Sequence, residues 1–402
     1  MTTRRLYYDD AFQDNFTAHV LACEPLADPL AGQDATCWGV LLDQTHLYPT
    51  SGGQPNDLGK LGDANVVDVR DLDDDILHVV DRPVAQGRID ACVHWPRRFD
   101  HMQQHTAQHL ISAVFQERFG LVTVSFHLGE RTSTIDLRGP QPSEQVLEGA
   151  ARAANAMVFE DREITVRYGT AEQFAEIGVR KKVERTGILR AIEIAGIDLQ
   201  PCGGTHVRRT GQIGTILLRG SAKMRQDWRV DFVAGGRAEA AARKDAASLT
   251  RLAAQLECAP EDVNQSVDRL LRESEAASKR SRVLVAKLAE AEAAARLAAI
   301  VPRQDGVRLV AEVLEDSSAD YLQLLATAIA RGQNAVVLLA GRDTGALVLA
   351  QATGTGKDMN TLLRTVLDRL GGKGGGTPDF ARGALGDPAR VSEAIDLAVR
   401  LL

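Results

Sequence analysis

A chain of 402 residues exceeds one typical hydrophobic core and implies roughly two to four domains. With 44% hydrophobic and 25% charged residues the composition is that of an ordinary globular protein, and five scattered cysteines fit a reducing compartment and not a disulfide framework. A net charge of −7 excludes a surface coated for nucleic-acid binding, while leaving room for a local basic track at Arg180-Lys181-Lys182, Arg185 and Arg190, or at Arg208-Arg209.

The start, Met1-Thr2-Thr3-Arg4-Arg5, leads into a polar stretch and not an apolar one, so no signal peptide is expected. No apolar run reaches the length of a membrane span. A cytoplasmic protein with no membrane partner is the expectation.

Residues 1–96 read as short strands and turns. Segments 38–42, 66–69 and 76–80 are strand-like, and their regular spacing suggests a small β-barrel. Between them, 47–59 is dense in turn residues, with Gly52, Gly53 and Gln54 at its middle. Beyond a tight turn, such a segment offers a backbone surface that RNA or another domain can approach closely.

Residues 97–236 mix strands and helices, an α+β domain. Met102, Leu110, Ile111, Val114 and Phe115 form an apolar stripe that predicts a helix over 100–119, with Asp100 as its N-cap. On it His105 and His109 stand at i and i+4, with Cβ atoms roughly 5–6 Å apart. Further on, Cys202-Gly203-Gly204-Thr205-His206 cannot be a comfortable helix, because two glycines sit inside it. A Gly-Gly turn folds Cys202 and His206 back toward one point. Three imidazoles and a thiolate are a tetrahedral donor set that favours zinc over calcium or magnesium. His101 lies one turn before His105, as a surface or supporting histidine. Asp198 stands ahead of the turn, placed either to orient a ligand histidine or to sit in a surface turn. Segments 123–126 and 133–137 read as a hairpin, 145–160 as an amphipathic helix, and 163–168, 192–194, 213–219 and 228–234 as strands.

Residues 237–301 change to Ala, Glu, Arg and Leu. Val263, Val267, Leu270, Ser274, Ala277, Ser281, Leu284, Leu288, Ala291, Ala295 and Ala298 follow the 4-3 spacing of a coiled-coil seam. Pro260 separates this seam from a helix over 238–256, giving a helical hairpin, and a homodimer is expected to form through it or through the C-terminal domain. Residues 302–402 read as an α/β domain, with strands at 307–314, 335–340 and 345–350 and helices at 319–330, 359–370 and 391–402. The Gly-rich run 371–383, which holds Gly374 and Gly375, reads as anion-binding backbone at a helix entry.

Two familiar motifs fail. Gly354-Thr355-Gly356-Lys357-Asp358 lacks the first glycine of a nucleotide-binding loop, where Gln351 stands, and Asp358 replaces the hydroxyl that would hold magnesium. A His-Glu-x-x-His peptidase needs a glutamate after its first histidine, and Thr106 is there.

Tyr48-Pro49-Thr50-Ser51-Gly52-Gly53-Gln54-Pro55, His105-Thr106-Ala107-Gln108-His109 and Pro201-Cys202-Gly203-Gly204-Thr205-His206, in this order, resemble the free-standing alanyl-tRNA editing proteins of the long type. They are also similar to the editing half of alanyl-tRNA synthetase. The last hundred or so residues look like the DHH-associated domain, with 371–383 as its Gly-rich signature, so the resemblance covers essentially the whole chain. It implies an α+β multidomain protein: a β-barrel (1–96), a zinc-dependent editing domain (97–236), the helical hairpin (237–301) and a DHH-associated α/β domain (302–402).

The activity it implies is trans-editing: hydrolysis of serine, and sometimes glycine, from mischarged alanine tRNA. His105, His109, Cys202 and His206 would hold Zn2+. Ser125-Phe126-His127-Leu128-Gly129 would line the amino-acid pocket, and 52–59 would lie against the tRNA or the editing core. In the synthetase version a threonine often precedes the second helix histidine, where this chain has Gln108. The chain starts directly with the barrel, leaving no room for an aminoacylation domain, which argues against a complete synthetase. A pocket that accepts serine and refuses alanine must read one hydroxyl, and Thr106, Gln108 and Ser125 are the polar candidates. Catalytic roles are thus expected at His105, His109, Gln108 and Ser125, and substrate contacts at Thr106, Gly52, Gly53, Gln54, His127, Gly374 and Gly375. One alternative is a non-catalytic RNA-binding module with a structural zinc. Another is a nucleotide phosphoesterase, but that needs a paired Asp-His-His motif, and Asp100-His101 is followed by Met102.

Overall fold

The computed structural model describes residues 2–26, 37–180 and 187–402. It divides into two compact units, Met1–Arg251 and Leu252–Leu402.

In the first unit, alternating apolar residues close six antiparallel strands into a ring. Its order is Asn15–Leu26, Cys37–Leu42, Asp75–Val80, Ala64–Leu72, Gly59–Leu61, Gly87–Val93 and back to the first. Phe16, Ala18, Val20, Val40, Leu42, Val69, Ile76 and Val80 fill the interior. The strand Asn15–Leu26 escapes a reading by apolar runs, because Asn15, Thr17 and His19 face out between Phe16, Ala18 and Val20.

The ring is tied to a central helix, Trp95–Phe119. That helix begins one turn earlier than the apolar stripe predicts. Pro96, in its first turn, has a ring geometry already suited to helix entry, so Asp100 is not the N-cap. Asp100 instead forms an ion pair with Arg237 (Nε to Oδ1, 2.8 Å). From Gln104 to Phe115 every residue of the helix is buried, so it is wrapped on all sides. One side is covered by the antiparallel sheet Ile216–Met224, Asp227–Ala234, Ser133–Arg138, Val122–Leu128, and another by the helix Glu144–Phe159. A three-stranded sheet, Ile164–Gly169, Leu189–Ile194 and Asp198–Pro201, carries the chain into Cys202.

The described members of the expected basic tracks are engaged internally. Arg180 pairs with Asp198, Arg208 with Asp10 and Arg209 with Asp161, while Arg190 donates to the carbonyl oxygens of Cys202 and Gly204. Lys181, Lys182 and Arg185 lie outside the described residues.

The second unit has a five-stranded sheet in the order Arg308–Leu314, Ala335–Gly341, Ala346–Gln351, Phe380–Leu385, Gly372–Gly376. Helices Met359–Leu370 and Val391–Leu401 cover one face. Helix Ala319–Ala330 and the end of the long helix Val263–Ala299 cover the other. The long helix packs through Ala289 and Ala293, not through the 4-3 seam: Val267, Leu270, Leu284 and Leu288 are exposed. Alanine is small enough for close helix approach, which leucine at the same contact would prevent.

The Gly-rich run is not a loop at a helix entry. It is the edge strand Gly372–Gly376 paired with Phe380–Leu385. A Cβ on Gly374 would lie 2.5 Å from Gly383 Cα and 2.7 Å from the Arg382 carbonyl oxygen, so the glycines are there for close strand approach. Among the described residues, no helix is long and apolar enough to cross a membrane.

Candidate metal centre

The central helix and the Gly-Gly turn meet. His105, His109, Cys202 and His206 each offer one donor atom, and these atoms all lie within 4.8 Å of one another. Cys202 Sγ is 3.4 Å from His105 Nε2 and 3.3 Å from His206 Nε2. The turn comes this close because residue 204 has no side chain: a Cβ there would lie 2.3 Å from His105 Cε1.

Each histidine is held through its other nitrogen. His105 Nδ1 donates to Gln54 Oε1 at 2.9 Å. His109 Nδ1 donates to Asp198 Oδ2 at 3.2 Å, and Arg180 Nε steadies that carboxylate at 2.8 Å. His206 Nδ1 donates to Thr106 Oγ1 at 3.1 Å, whose own proton goes to the Met102 carbonyl at 2.8 Å. Donation through Nδ1 turns all three Nε2 atoms toward the centre; His109, which favours its protonated form, would give up its Nε2 proton to an incoming metal.

The electrostatics are those of a compact polar cluster. Burial resists ionisation of Cys202, but the neighbouring imidazoles of His105 and His206 outweigh it and hold the thiol well below its ordinary range. Burial pushes His206 down to about 3. At His109 burial also works against the proton, but the hydrogen bonds to Asp198 and Cys202 win and lift the imidazole to about 9. Burial and the charges of Arg97, Arg237 and Arg98 push His101 down to about 3, and its buried Nδ1 has no hydrogen-bond partner.

The other expected site residues divide. Thr106 is fully engaged as the support of His206, where it also accepts from Val207 N at 3.3 Å. Gly52 and Gly53 form a tight turn that ends at Gln54, and Gly53 lies against Phe126, whose ring centroid is 5.5 Å from that of His105. Ser125 and His127 alternate with Phe126 on the other face of the strand. Ser125 is exposed and donates to Asp136 Oδ2 at 2.5 Å, and His127 is exposed too. Gln108 is buried: its Nε2 donates to Ser112 Oγ at 2.9 Å, and its Oε1 has no partner. Gly374 and Gly375 belong to the second unit. Arg180 and Arg190 had been legible only as positive charge, and nothing in their spacing marks them as supports of Asp198 and of the turn.

Comparison with known proteins places the two units among described families. Residues 189–231, which include Cys202 and His206, match the family described as the threonyl and alanyl tRNA synthetase second additional domain, and residues 306–402 match the DHHA1 domain. The chain is 31% identical over 289 residues to alanyl-tRNA editing protein Aarsd1-A of Xenopus laevis, covering 70% of each chain. It belongs to the alanyl-tRNA editing protein family. Across nearly the whole length it is 29% identical to Aarsd1 of Mus musculus, covering 96% of this chain and 95% of that one. It is 27% identical to AlaX-L of Pyrococcus horikoshii, covering 99% and 98%. As a member of this family, the chain carries its four convergent donors within the first unit, which also holds the matched segment 189–231.

Proposed function

We propose that this chain is a zinc-dependent deacylase that hydrolyses the ester of mischarged alanine tRNA, with seryl-tRNA as its main substrate and glycyl-tRNA as a second. The observation that carries the reading is the convergence of three Nδ1-anchored histidines and one low-pKa cysteine on one point. A tetrahedral zinc ion spaces its donors roughly 3.3–3.8 Å apart, and the two Sγ–Nε2 distances of 3.4 and 3.3 Å fit that spacing. Soft thiolate with imidazole favours zinc over harder cations. Bound there, zinc would supply Lewis-acid polarisation of the ester carbonyl or of a water.

The chain's own residues supply position and selectivity. His105, His109 and His206 are buried and each is oriented through its Nδ1 hydrogen bond, while Cys202 closes the donor set from the Gly-Gly turn. Selectivity for the serine hydroxyl falls to Gln108, on the same helical face as His105. Its amide has one end unpaired whichever way it is turned, since Ser112 can satisfy only the other. A buried amide left unpaired by an alanyl group and paired by a seryl group discriminates between them. Thr106 and Ser125 are committed elsewhere.

The test is single-turnover hydrolysis of seryl-, glycyl- and alanyl-tRNA, with the metal content measured before and after chelation. The expected result is one zinc per chain, loss of seryl-tRNA hydrolysis on chelation, and recovery with zinc. Gln108→Leu should lower the preference for seryl over glycyl substrate by about tenfold. Undiminished hydrolysis by metal-free protein would remove zinc from the mechanism. A metal-loaded chain that binds tRNA but hydrolyses none of these esters would favour an RNA-binding module with a structural metal.

A further inference from the structure

We propose that Gln54, carried by the strand-ring segment of the chain, is a positioning residue of the metal centre that fixes the His105 tautomer and locks the helix to the Gly-Gly turn. This rests on the reading above that the four donors hold a metal. Gln54 is fully buried, and three contacts use both ends of its amide. Oε1 accepts from His105 Nδ1 at 2.9 Å and from Thr205 N at 3.1 Å, while Nε2 donates to Thr205 Oγ1 at 2.8 Å.

The backbone N–H of Thr205 decides the geometry. It can only donate, so the amide oxygen must face it, and the amide cannot be turned over without setting N–H against N–H. With the oxygen fixed, His105 must present a protonated Nδ1 to it. The lone pair of Nε2 then faces Cys202 and the other donors. One side chain therefore sets the ligand nitrogen on the helix and the height of the turn, between Gly204 and His206.

The position of Gln54 is itself fixed from behind. Its backbone closes a tight turn with Ser51, through Gln54 N to Ser51 O at 2.9 Å and Ser51 N to Gln54 O at 3.1 Å. Gly52 and Gly53 take positive φ in this turn, and the Gly53 carbonyl accepts from Leu128 N at 3.2 Å. A Cβ on Gly53 would lie 2.8 Å from the Phe126 ring, so only glycine allows this seating. The Gly-Gly-Gln segment is thus a bracket on the metal centre. It need not touch RNA to matter.

The experiment measures zinc affinity of the full-length protein by competition with a chromophoric chelator, and the visible spectrum of the cobalt-substituted protein. Gln54→Leu should bind zinc about 10–100-fold more weakly and alter the cobalt spectrum. Gln54→Asn keeps the amide but shortens its reach by one methylene, and should fall between Gln54→Leu and wild type. Gln54→Glu keeps an acceptor for both N–H groups, lets the Thr205 hydroxyl turn and donate, and should restore affinity and spectrum. A merely structural role would not produce that order. If wild type binds zinc and Gln54→Leu and Gln54→Asn bind it as tightly with unchanged cobalt spectra, the role of Gln54 is wrong while the metal reading stands. If wild type binds no metal, both fall together.

Discussion

Inside the strand ring His78 is fully buried and held at both ring nitrogens. Nδ1 donates to the Val40 carbonyl at 3.2 Å, and Nε2 accepts from Thr45 Oγ1 at 2.9 Å. Burial pushes its pKa down from 6.5 to about 4, with the Val40 contact opposing. Between those values the unfolded chain binds a proton that the folded chain refuses. The stability held by neutral His78 is therefore complete above pH 6.5 and is lost as the pH falls toward 4, by roughly 3 kcal/mol in all. Urea unfolding at pH 7.5, 5.5 and 4 should show His78→Asn losing less stability over this window than wild type. Equal losses would mean that His78 is not neutral in the fold. At this scale the sequence was unevenly informative. His105, His109, Cys202 and His206 stood out because metal donors combine a residue type with a spacing, and the structure brings them together. The support of Gln54 and Thr106 did not, because an amide or hydroxyl hydrogen-bonding across the fold has no spacing of its own.

Between elements, the ring and the central helix are joined by a buried ion pair, and both Arg98 and Asp57 are completely shielded from water. Arg98 also donates to the carbonyls of Ala11 (2.9 Å) and His46 (2.5 Å), and Asp57 accepts from Tyr48 N at 2.7 Å. Removing one partner leaves the other charge buried and uncompensated. Arg98→Met should thus destabilise the first unit by about 3–5 kcal/mol in denaturant titration, and Asp57→Asn added to it should recover part of the loss. A cost below about 1 kcal/mol for Arg98→Met would show that this clasp does not hold the two elements together. Helices Ala319–Ala330 and Met359–Leu370 match their expected spans, and the structure adds their caps, Ser318 accepting from Tyr321 N and Asp358 from Thr361 N. The Gly372–Gly376 strand was not, because five residues with four glycines carry no side-chain alternation. Its evidence lies in the close approach of Gly383 and Leu367, which exists only after folding.

Taken whole, the chain keeps its candidate chemistry in one unit and a separately packed, sheet-centred domain in the other. The long helix Val263–Ala299 belongs to the second unit, and its bare leucines are a property of that unit alone. Within the first, the donors come from distant parts of the sequence: His105 and Cys202 are 97 residues apart. An ion held by both does more than chemistry. It is a cross-link, and in the unfolded chain it would keep a long loop shut. By the arithmetic used for disulfides, closing a loop of that length removes chain entropy worth roughly 4–5 kcal/mol. Removing the metal should therefore lower the melting temperature of the whole first unit, ring included, although most of its residues never approach the ion. Calorimetry of chelated and zinc-loaded protein reads this directly, and coincident transitions would mean that the ion ties nothing together. Metal starvation would then act on this protein first as a loss of lifetime, with idle turnover only its second symptom.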